Sequence, residues 1–452
     1  MADEAGERVP DSGGSAGPQT SDRLADPLSL ACGQVLANRI CKAAMTEGLG
    51  DRRLRATARH GRLYRAWSQG GSGLLITGNV MVDRWFLERP GNVAIDPSYP
   101  PTVDAEARSR LRAWSAAGTE GGNALWMQLS HAGRQAPRYV SRRPAGPSAV
   151  QLDILGNYAR PRALTEPEII DLVGRFGRAA AVARETGFTG VQVHGAHGYL
   201  ISSFLSPVTN RRADDWGGPL QNRARLLLEV IRSVRGQVGP DFPVSVKLNS
   251  DDFRKGGFSH ADCLGVVRWL NDEAVDLLEI SGGSYEQPRL LGVPGRAADA
   301  VAVRPSTRAR EAYFLEYAES IRGVATMPLM VTGGFRTRAG MEAALDSGAT
   351  DVIGIARPFC TEPDAARRLL DRQTDTLPTF ERQLHLRAHG RLSPTSPWMA
   401  AKAVNILGAQ GWYYQQMERL ADGRPADLDQ GVLRSFARYW WNDLTRAARL
   451  RR

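Results

Sequence analysis

Eight short apolar runs, separated by longer segments with a helical pattern, constrain the fold of this chain more than any other feature. Each run is nearly continuous rather than alternating, which is typical of parallel strands that are covered on both faces. The runs occupy residues 39–45, 73–79, 124–129, 190–194, 244–248, 275–280, 329–331 and 352–355. The segments between them carry helix signals: Thr165 and Glu168 form a capping-box pattern, and Gly187 marks the end of that helix. This alternation predicts an α/β fold, a (β/α)8 TIM barrel, with an open doubly wound sheet as the structural alternative.

The two ends of the chain differ from this barrel region, which we place at residues 28–375. Residues 1–27 are rich in Gly, Ser, Pro and Asp and hold few large apolar side chains, so we predict a disordered N-terminal tail. Residues 376–452 are predicted to form a helical C-terminal extension. The extension is rich in aromatic side chains, namely Trp398, Trp412, Tyr413, Tyr414, Tyr439, Trp440 and Trp441. We expect it to pack on the barrel or on a second subunit, which leaves a homo-oligomer open.

Composition and charge narrow the class of protein. The four cysteines, Cys32, Cys41, Cys263 and Cys360, show no C-x-x-C spacing, so neither disulfides nor a zinc or iron–sulfur site is indicated. No apolar run approaches the roughly 18 residues of a membrane span, and the start of the chain lacks the apolar stretch of a signal peptide. The net charge is +10, yet no basic block with interleaved aromatics indicates a nucleic-acid surface. We therefore expect a cytoplasmic protein without nucleic-acid or membrane partners.

Polar rings cluster directly after the fourth apolar run. His194, His197 and Tyr199 lie within six residues at a strand end. Barrel enzymes carry their chemistry on the loops at the carboxyl ends of their strands. Imidazoles and a phenol at one barrel mouth could hold a carbonyl oxygen and supply a proton to a neighbouring carbon. The alternative is that one histidine and the tyrosine are packed structural residues, but the clustering favours the catalytic interpretation.

The segment that begins at His194, HGAHGYLISSFLSPVTNRRADDWGG, resembles the substrate-binding signature of the old yellow enzyme family. The resemblance extends over about residues 30–372. It implies an oxidoreductase with tightly bound FMN that takes a hydride from NADH or NADPH. In a ping-pong cycle the hydride would pass to an activated C=C bond of a small unsaturated substrate. His194 and His197 would bind the carbonyl or nitro oxygen of that substrate, and Tyr199 would protonate its α-carbon.

The resemblance also implies a set of flavin contacts at the strand ends. These are the backbone of Ala43, Ala44 and Met45, together with Thr46, Gly78, Gln128 and Lys247. The Thr46 hydroxyl would lie against the flavin O4, and Gln128 against the pyrimidine edge, where an amide can both donate and accept. Lys247 stands where most of the family carries arginine. As a point charge it would still stabilise the anionic reduced flavin, but without a planar bidentate contact.

The last two strands end in loops that should meet in space. Gly333 and Gly334 would allow backbone N–H groups to approach an anion, while Ala356 and Arg357 precede a predicted helix whose N-terminus favours negative charge. Together these residues predict a phosphate site, which is where the resemblance places the FMN phosphate. A single phosphate site fits FMN better than FAD, and no G-x-G-x-x-G after a strand marks a second nucleotide domain.

Two other functions are compatible with a barrel of this kind. A metal-dependent hydrolase could use the clustered histidines as zinc ligands. Such sites usually need ligands from the first and last strands, where this chain offers Ala44, Met45, Gly354 and Ile355, so no metal site is predicted. A flavin-binding barrel without turnover is the other alternative, and the intact Tyr199 with two histidines argues against it.

Overall fold

The structure, a computed structural model, describes residues 22–154, 156–283 and 314–450. Residues 1–21 of the predicted N-terminal tail lie outside the described residues. The last part of that predicted tail is held against the barrel, because Leu24 is fully buried and the Asp22 carboxylate pairs with the buried Arg338. The packed region therefore includes described residues ahead of the predicted boundary at residue 28. One buried apolar side chain, several ion pairs and the hydrogen bond from the Arg39 N–H to the Leu24 carbonyl anchor a stretch whose composition alone predicted no packing.

Eight parallel strands form a closed barrel. They span Ile40–Lys42, Leu74–Ile76, Ala124–Ser130, Gly190–Gly195, Val244–Asn249, Leu277–Ser281, Leu329–Thr332 and Val352–Ile355. Each strand pairs in parallel with the next one along the chain, and the last pairs with the first through Ile353 and Ile40. This closure confirms the (β/α)8 barrel and overturns the open doubly wound sheet.

Helices connect the barrel strands. They span Ala58–Ser68, Ala105–Gly118, Glu166–Glu185, Leu200–Leu205, Leu220–Val238, His260–Leu270, Leu315–Arg322, Arg338–Asp346 and Ala365–Leu370. The predicted capping box is present, since the Thr165 N–H donates to Glu168 Oε2 at 2.8 Å. Gly187 follows the end of that helix with a φ of 86°, a left-handed backbone that glycine adopts without strain. Among the described helices, none combines the length and the apolar character that crossing a bilayer requires.

The connecting segments also contain shorter elements. Short strands span Leu28–Ser29, Val35–Leu36, Val80–Met81, Val93–Ala94, Ala145–Gly146 and Arg162–Ala163, and 3-10 turns span Arg23–Ala25, Pro100–Thr102, Gly133–Gln135, Arg357–Cys360 and Phe380–Arg382. The first two strands form an antiparallel pair that lies across the amino-terminal end of the barrel, where Gln34 Nε2 donates to the Thr189 carbonyl at 3.0 Å. The opposite end, at the strands' carboxyl termini, is left for the loops that carry the predicted site.

The barrel interior is apolar towards the amino ends of the strands and polar towards their carboxyl ends. The apolar half contains Leu30, Leu36, Cys41, Leu74, Ile76, Ala124, Trp126, Leu277, Met330 and Val352. The strand register then places Gln128 opposite Gln192, and Lys247 opposite Glu279. We call these four side chains the polar layer. A polar layer on an apolar core positions hydrogen-bonding groups under the barrel mouth while the core supplies the stability.

The C-terminal extension contains two long helices, Met399–Ala421 and Val432–Ala448, which pack against each other and against the barrel. One polar contact between the extension and the barrel is made by the guanidinium of Arg89, which comes from the loop after the second barrel strand. It lies 2.8 Å from the Asp443 carboxylate and 3.9 Å from the centre of the Tyr414 ring. Arg89 and Asp443 are both buried, so the extension is fastened to the barrel through a desolvated ion pair.

This ion pair gives a testable prediction about the extension. Asp443→Leu should lower the free energy of unfolding by about 3–5 kcal/mol, because it leaves the Arg89 guanidinium buried without a counter-charge. The double variant Arg89→Met/Asp443→Leu removes both charges and should recover most of that loss. Urea unfolding of the two variants checks this, and equal stability of the single and double variants would show that the pair does not fasten the helices.

Candidate active site

The three predicted catalytic rings come together at the carboxyl end of the fourth barrel strand. His194 lies within the strand, and Tyr199 directly precedes the helix Leu200–Leu205. The ring centre of His194 is 5.1 Å from that of His197 and 4.7 Å from that of Tyr199. His194 and Tyr199 are 4% and 3% exposed, whereas His197 is half-buried, so bulk water can reach the cluster mainly at His197.

The two histidines are neutral hydrogen-bonding groups. Burial lowers the pKa of His194 well below its usual value, and the nearby His197 and Lys247, beside which a second positive charge is unfavourable, lower it further. Burial, followed by the charge of Lys247, does the same to the pKa of His197. The Ala196 N–H donates to His194 Nδ1 at 3.2 Å, so the proton of the neutral ring sits on Nε2. His194 can therefore donate a hydrogen bond to an oxygen without carrying a charge.

His197 is held in an unusual backbone conformation. Its φ is 63°, in the left-handed region that side chains other than glycine rarely adopt. The His197 N–H donates to Asn249 Oδ1 at 3.1 Å, and His197 Nε2 lies 2.7 Å from Ser281 Oγ. Contacts from the fifth and sixth barrel strands thus fix the ring. His197 stands out in the sequence, whereas Asn249 and Ser281 come beside it only through the register of the fifth and sixth strands.

Gln128 and Lys247 lie together in the polar layer, but both have partners that the sequence analysis missed. Gln128 Nε2 donates to Gln192 Oε1 at 2.7 Å, and Gln192 Nε2 donates to Glu279 Oε2 at 2.8 Å. Lys247 Nζ lies 2.7 Å from Glu279 Oε1. The expected cation is therefore half of a buried ion pair. A glutamate inside the apolar run LLEIS and a glutamine inside GVQVHG are the signals that could have pointed to these partners.

The end of the first barrel strand differs in part from the prediction. The Ala43 N–H donates to the Ile355 carbonyl at 2.8 Å, so this amide belongs to the barrel ladder and is not available to a ligand. Ala44 and Met45 are half-buried at the barrel mouth. The Thr46 hydroxyl donates to Glu88 Oε2 at 2.5 Å. The predicted partner for a flavin oxygen is thus already engaged by a carboxylate that the sequence analysis did not consider.

Gly78 is required by the packing of two loops. A Cβ built on it would lie 2.4 Å from the Met45 carbonyl oxygen and 2.7 Å from Thr46 Cα. Its N–H donates to Glu47 Oε1 at 2.8 Å. The absence of a side chain therefore lets the loops after the first two strands approach each other, which shapes the mouth of the barrel.

The loops after the last two strands carry the residues of the predicted anion site, Gly333, Gly334, Ala356 and Arg357. Gly333 and Gly334 have φ values of 122° and 96°, which glycine alone adopts readily. Ala356 and Arg357 are followed only by the short 3-10 turn Arg357–Cys360, so the predicted helix N-terminus is absent there and its dipole contributes little. The N–H groups of Phe359 and Thr361 donate to the carbonyls of Ala356 and Pro358 at 3.0 and 3.1 Å, three residues earlier, which is the bonding pattern of a 3-10 turn and not of an α-helix.

Arg336 and Glu381, which were not predicted, lie close to the predicted Arg357. Arg336 lies 2.6 Å from Glu381 Oε1, and Arg357 lies 3.7 Å from the same oxygen. Tyr413 of the extension donates to Glu381 Oε2 at 2.9 Å. Two guanidinium groups from the loops after the last two strands thus share one carboxylate, and each is a donor of the kind that also binds phosphate.

Metal-ligand chemistry is sparse in the part of the chain that the structure describes. Within residues 22–154, 156–283 and 314–450, no group of three or more His, Cys, Asp or Glu side chains is arranged to hold a metal ion. The histidines His194 and His197 instead have hydrogen-bond partners, as described above.

Comparisons with known proteins give a matching family model and several similar proteins. The model of the NADH:flavin oxidoreductase / NADH oxidase family matches residues 23–375. The chain is 34% identical over 418 residues to the NADH-dependent flavin oxidoreductase iccE of Talaromyces variabilis, covering 88% of this chain and 98% of that protein. It is 34% identical over 248 residues to the NADPH dehydrogenase of Bacillus subtilis (strain 168), covering 55% and 67% of the two chains. Among solved structures, the old yellow enzyme homologue from Zymomonas mobilis is similar with a TM-score of 0.66 and 28% identity, over 79% of this chain and 95% of that chain.

Proposed function

The chain belongs to the NADH:flavin oxidoreductase / NADH oxidase family, and from this premise we propose that it reduces activated C=C bonds, such as those of α,β-unsaturated carbonyl compounds. It is an oxidoreductase whose cofactors are FMN and NADH or NADPH. The observation that carries the proposal is the cluster of His194, His197 and Tyr199, two neutral imidazoles and a phenol. The ring centre of His194 lies 5.1 Å from that of His197 and 4.7 Å from that of Tyr199. Family membership also sets aside the metal-dependent hydrolase.

The polar layer and the two terminal loops would hold FMN. The proposed contacts are Ala43, Ala44, Met45, Thr46, Gly78, Gln128, Lys247, Gly333, Gly334, Ala356 and Arg357. In this assignment Gly333, Gly334 and Arg357 bind the phosphate, while Gln128 and Lys247 serve the polar edge of the ring. When bound, FMN supplies the hydride chemistry, accepting a hydride from NADH or NADPH and passing it on to the substrate.

The substrate half of the reaction is assigned to the ring cluster. His194 Nε2–H and the His197 ring donate hydrogen bonds to the substrate oxygen, which makes the β-carbon a better hydride acceptor. Because both imidazole rings are neutral, no ion pair competes with the hydrogen bonds through which they polarise the substrate carbonyl. The Tyr199 hydroxyl then delivers a proton to the α-carbon as a general acid. Burial of His194 and Tyr199 limits the access of bulk water to both steps.

Steady-state kinetics test this proposal against a flavin-binding barrel without turnover. With the purified protein under nitrogen, oxidation of NADH or NADPH should depend on added cyclohexenone and yield the saturated ketone. Double-reciprocal plots at several enone concentrations should be parallel, because one pocket serves both half-reactions in turn. Oxidation that does not respond to the enone, or converging lines, would contradict the proposal.

The assigned phosphate site gives a separate prediction. Arg357→Gln should weaken FMN binding about tenfold, because it removes one charge-assisted hydrogen bond. We expect the lower end of the usual range because the Arg357 side chain is 35% exposed and screened by solvent. Titration of apoprotein with FMN, followed by the quenching of flavin fluorescence, measures the effect. Arg178→Gln, which changes an exposed arginine paired with Asp171, is the matched control, and equal dissociation constants for the two variants would place the phosphate elsewhere.

A further inference from the structure

Glu279 is a fully buried carboxylate in the polar layer, and the proposed function gives it no role. It lies in the sixth barrel strand, with Oε1 2.7 Å from Lys247 Nζ and Oε2 accepting from Gln192 Nε2 at 2.8 Å. A buried ion pair is weak grounds for stability, since apolar side chains of similar volume often serve equally well. Its contact with Lys247 and its connection to Gln128 through Gln192 suggest a different task.

The carboxylate fixes the direction of a chain of hydrogen bonds. An ionised carboxylate can only accept, so Gln192 must turn its Nε2 towards Glu279. The Oε1 of Gln192 then faces Gln128 and accepts from Gln128 Nε2 at 2.7 Å. The remaining acceptor of the Gln128 amide, its Oε1, is thereby kept for a ligand. Glu279 thus decides which end of the Gln128 amide a flavin would meet.

This direction matches the chemistry of a flavin. The pyrimidine edge of an isoalloxazine presents an N–H donor between two carbonyl acceptors, and only an acceptor such as an amide oxygen can bind that N–H. If the Gln192 amide could turn freely, Gln128 could present its NH2 group instead. The buried Glu279 carboxylate excludes this alternative orientation of the Gln128 amide even without a bound cofactor.

Glu279 also limits the positive charge that Lys247 offers. The positive charge of the Lys247 ammonium acts on neighbouring side chains, since it contributes to the lowered pKa of His194 and of His197. In the barrel interior the carboxylate at 2.7 Å cancels part of that field. A reduced anionic flavin is then stabilised less than it would be by an unpaired ammonium.

We propose that Glu279 is a positioning residue for the flavin, which orients the Gln128 amide through Gln192 and holds and partly neutralises Lys247. This inference rests on the proposed FMN site. Glu279 then influences both the affinity for the flavin and its reduction potential. Neither effect requires Glu279 to touch the flavin itself.

The test is the reduction potential of the holoenzyme, measured against a reference dye. Glu279→Gln should raise the ratio of reduced to oxidised flavin at a fixed potential by about tenfold, equivalent to about 30 mV for a two-electron couple. Oxidised FMN should also bind less tightly to the apoprotein, because the amide chain loses its fixed direction. The double variant Glu279→Gln/Lys247→Met, which removes both charges, should have a lower potential than Glu279→Gln alone.

Gln192→Met provides a second, independent arm. It breaks the amide chain but keeps the ion pair, so it should weaken FMN binding while changing the potential less than Glu279→Gln does. If Glu279→Gln fails to fold by circular dichroism, Gln192→Met and the double variant carry the test. Wild-type protein that binds FMN, combined with an unchanged potential in Glu279→Gln or an unchanged FMN affinity in Gln192→Met, would overturn the inference. Wild-type protein that binds no FMN would overturn the proposed function itself.

Discussion

Tyr199→Phe is expected to slow the reduction of an unsaturated substrate by about two to four orders of magnitude, while reduction of the flavin by NADH or NADPH continues at close to the wild-type rate. The phenol is needed only where a carbon must be protonated, and hydride transfer from a nicotinamide to the flavin has no such step. The ring itself stays in place, because phenylalanine keeps its packing in the cluster formed with Met81, Leu87 and Ala132.

Stopped-flow absorbance of the flavin separates the two half-reactions of the Tyr199 variant. Tyr139→Phe is the matched control, since Tyr139 packs against the same apolar cluster and its hydroxyl faces Asp443 at 3.4 Å rather than the histidines. The control should keep both rates. Equal loss of both half-reactions in Tyr199→Phe would indicate a damaged site and would remove Tyr199 from the role of proton donor.

The second large effect is a loss of stability in mild acid. Burial lowers the pKa of His60 and of His131 to about 3, whereas a histidine in an unfolded chain has a pKa near 6.5. The unfolded chain therefore binds more protons, so the stability is complete above about pH 6.5 and falls as the pH drops towards the folded value. Each of the two side chains should remove about 2 kcal/mol between about pH 8 and pH 5, or about 4 kcal/mol together.

Urea unfolding at several pH values measures this loss. The pKa values of His194 and His197 are also lowered by burial, so they add to the loss in the same direction. His131→Phe should flatten the pH dependence, whereas His389→Gln should leave it unchanged because His389 is exposed to solvent in the folded chain. A free energy of unfolding that stays constant from about pH 8 to pH 5 would contradict the neutral, buried state of these rings.

The barrel could be predicted from the sequence because its strands are covered on both faces and leave continuous apolar runs. The run at residues 39–45 marked the first strand, but the ladder ends early and the observed strand is Ile40–Lys42. The chain turns away after Ala43 to form the mouth of the barrel. Strand position is thus set locally by side-chain type, whereas strand ends depend on where the neighbouring loops begin.

The candidate site was predictable only where its residues are close in sequence. His194, His197 and Tyr199 share one strand end, so their meeting needs no knowledge of the sheet. Lys247 and Glu279 meet because the fifth and sixth strands align these two positions, a register that the sequence does not state. The contacts of Thr46 with Glu88 and of Arg357 with Glu381 likewise join separate loops and depend on the folded structure.

The central claim is a flavin held at the barrel mouth that exchanges hydride with two partners in turn, and one anaerobic titration tests it most directly. The purified protein should show the visible absorbance of a stoichiometric flavin. NADH or NADPH should bleach that absorbance, and cyclohexenone should restore it with formation of the saturated ketone. Colourless protein that takes up no added FMN, or a bleached flavin that the enone does not reoxidise, would contradict the account.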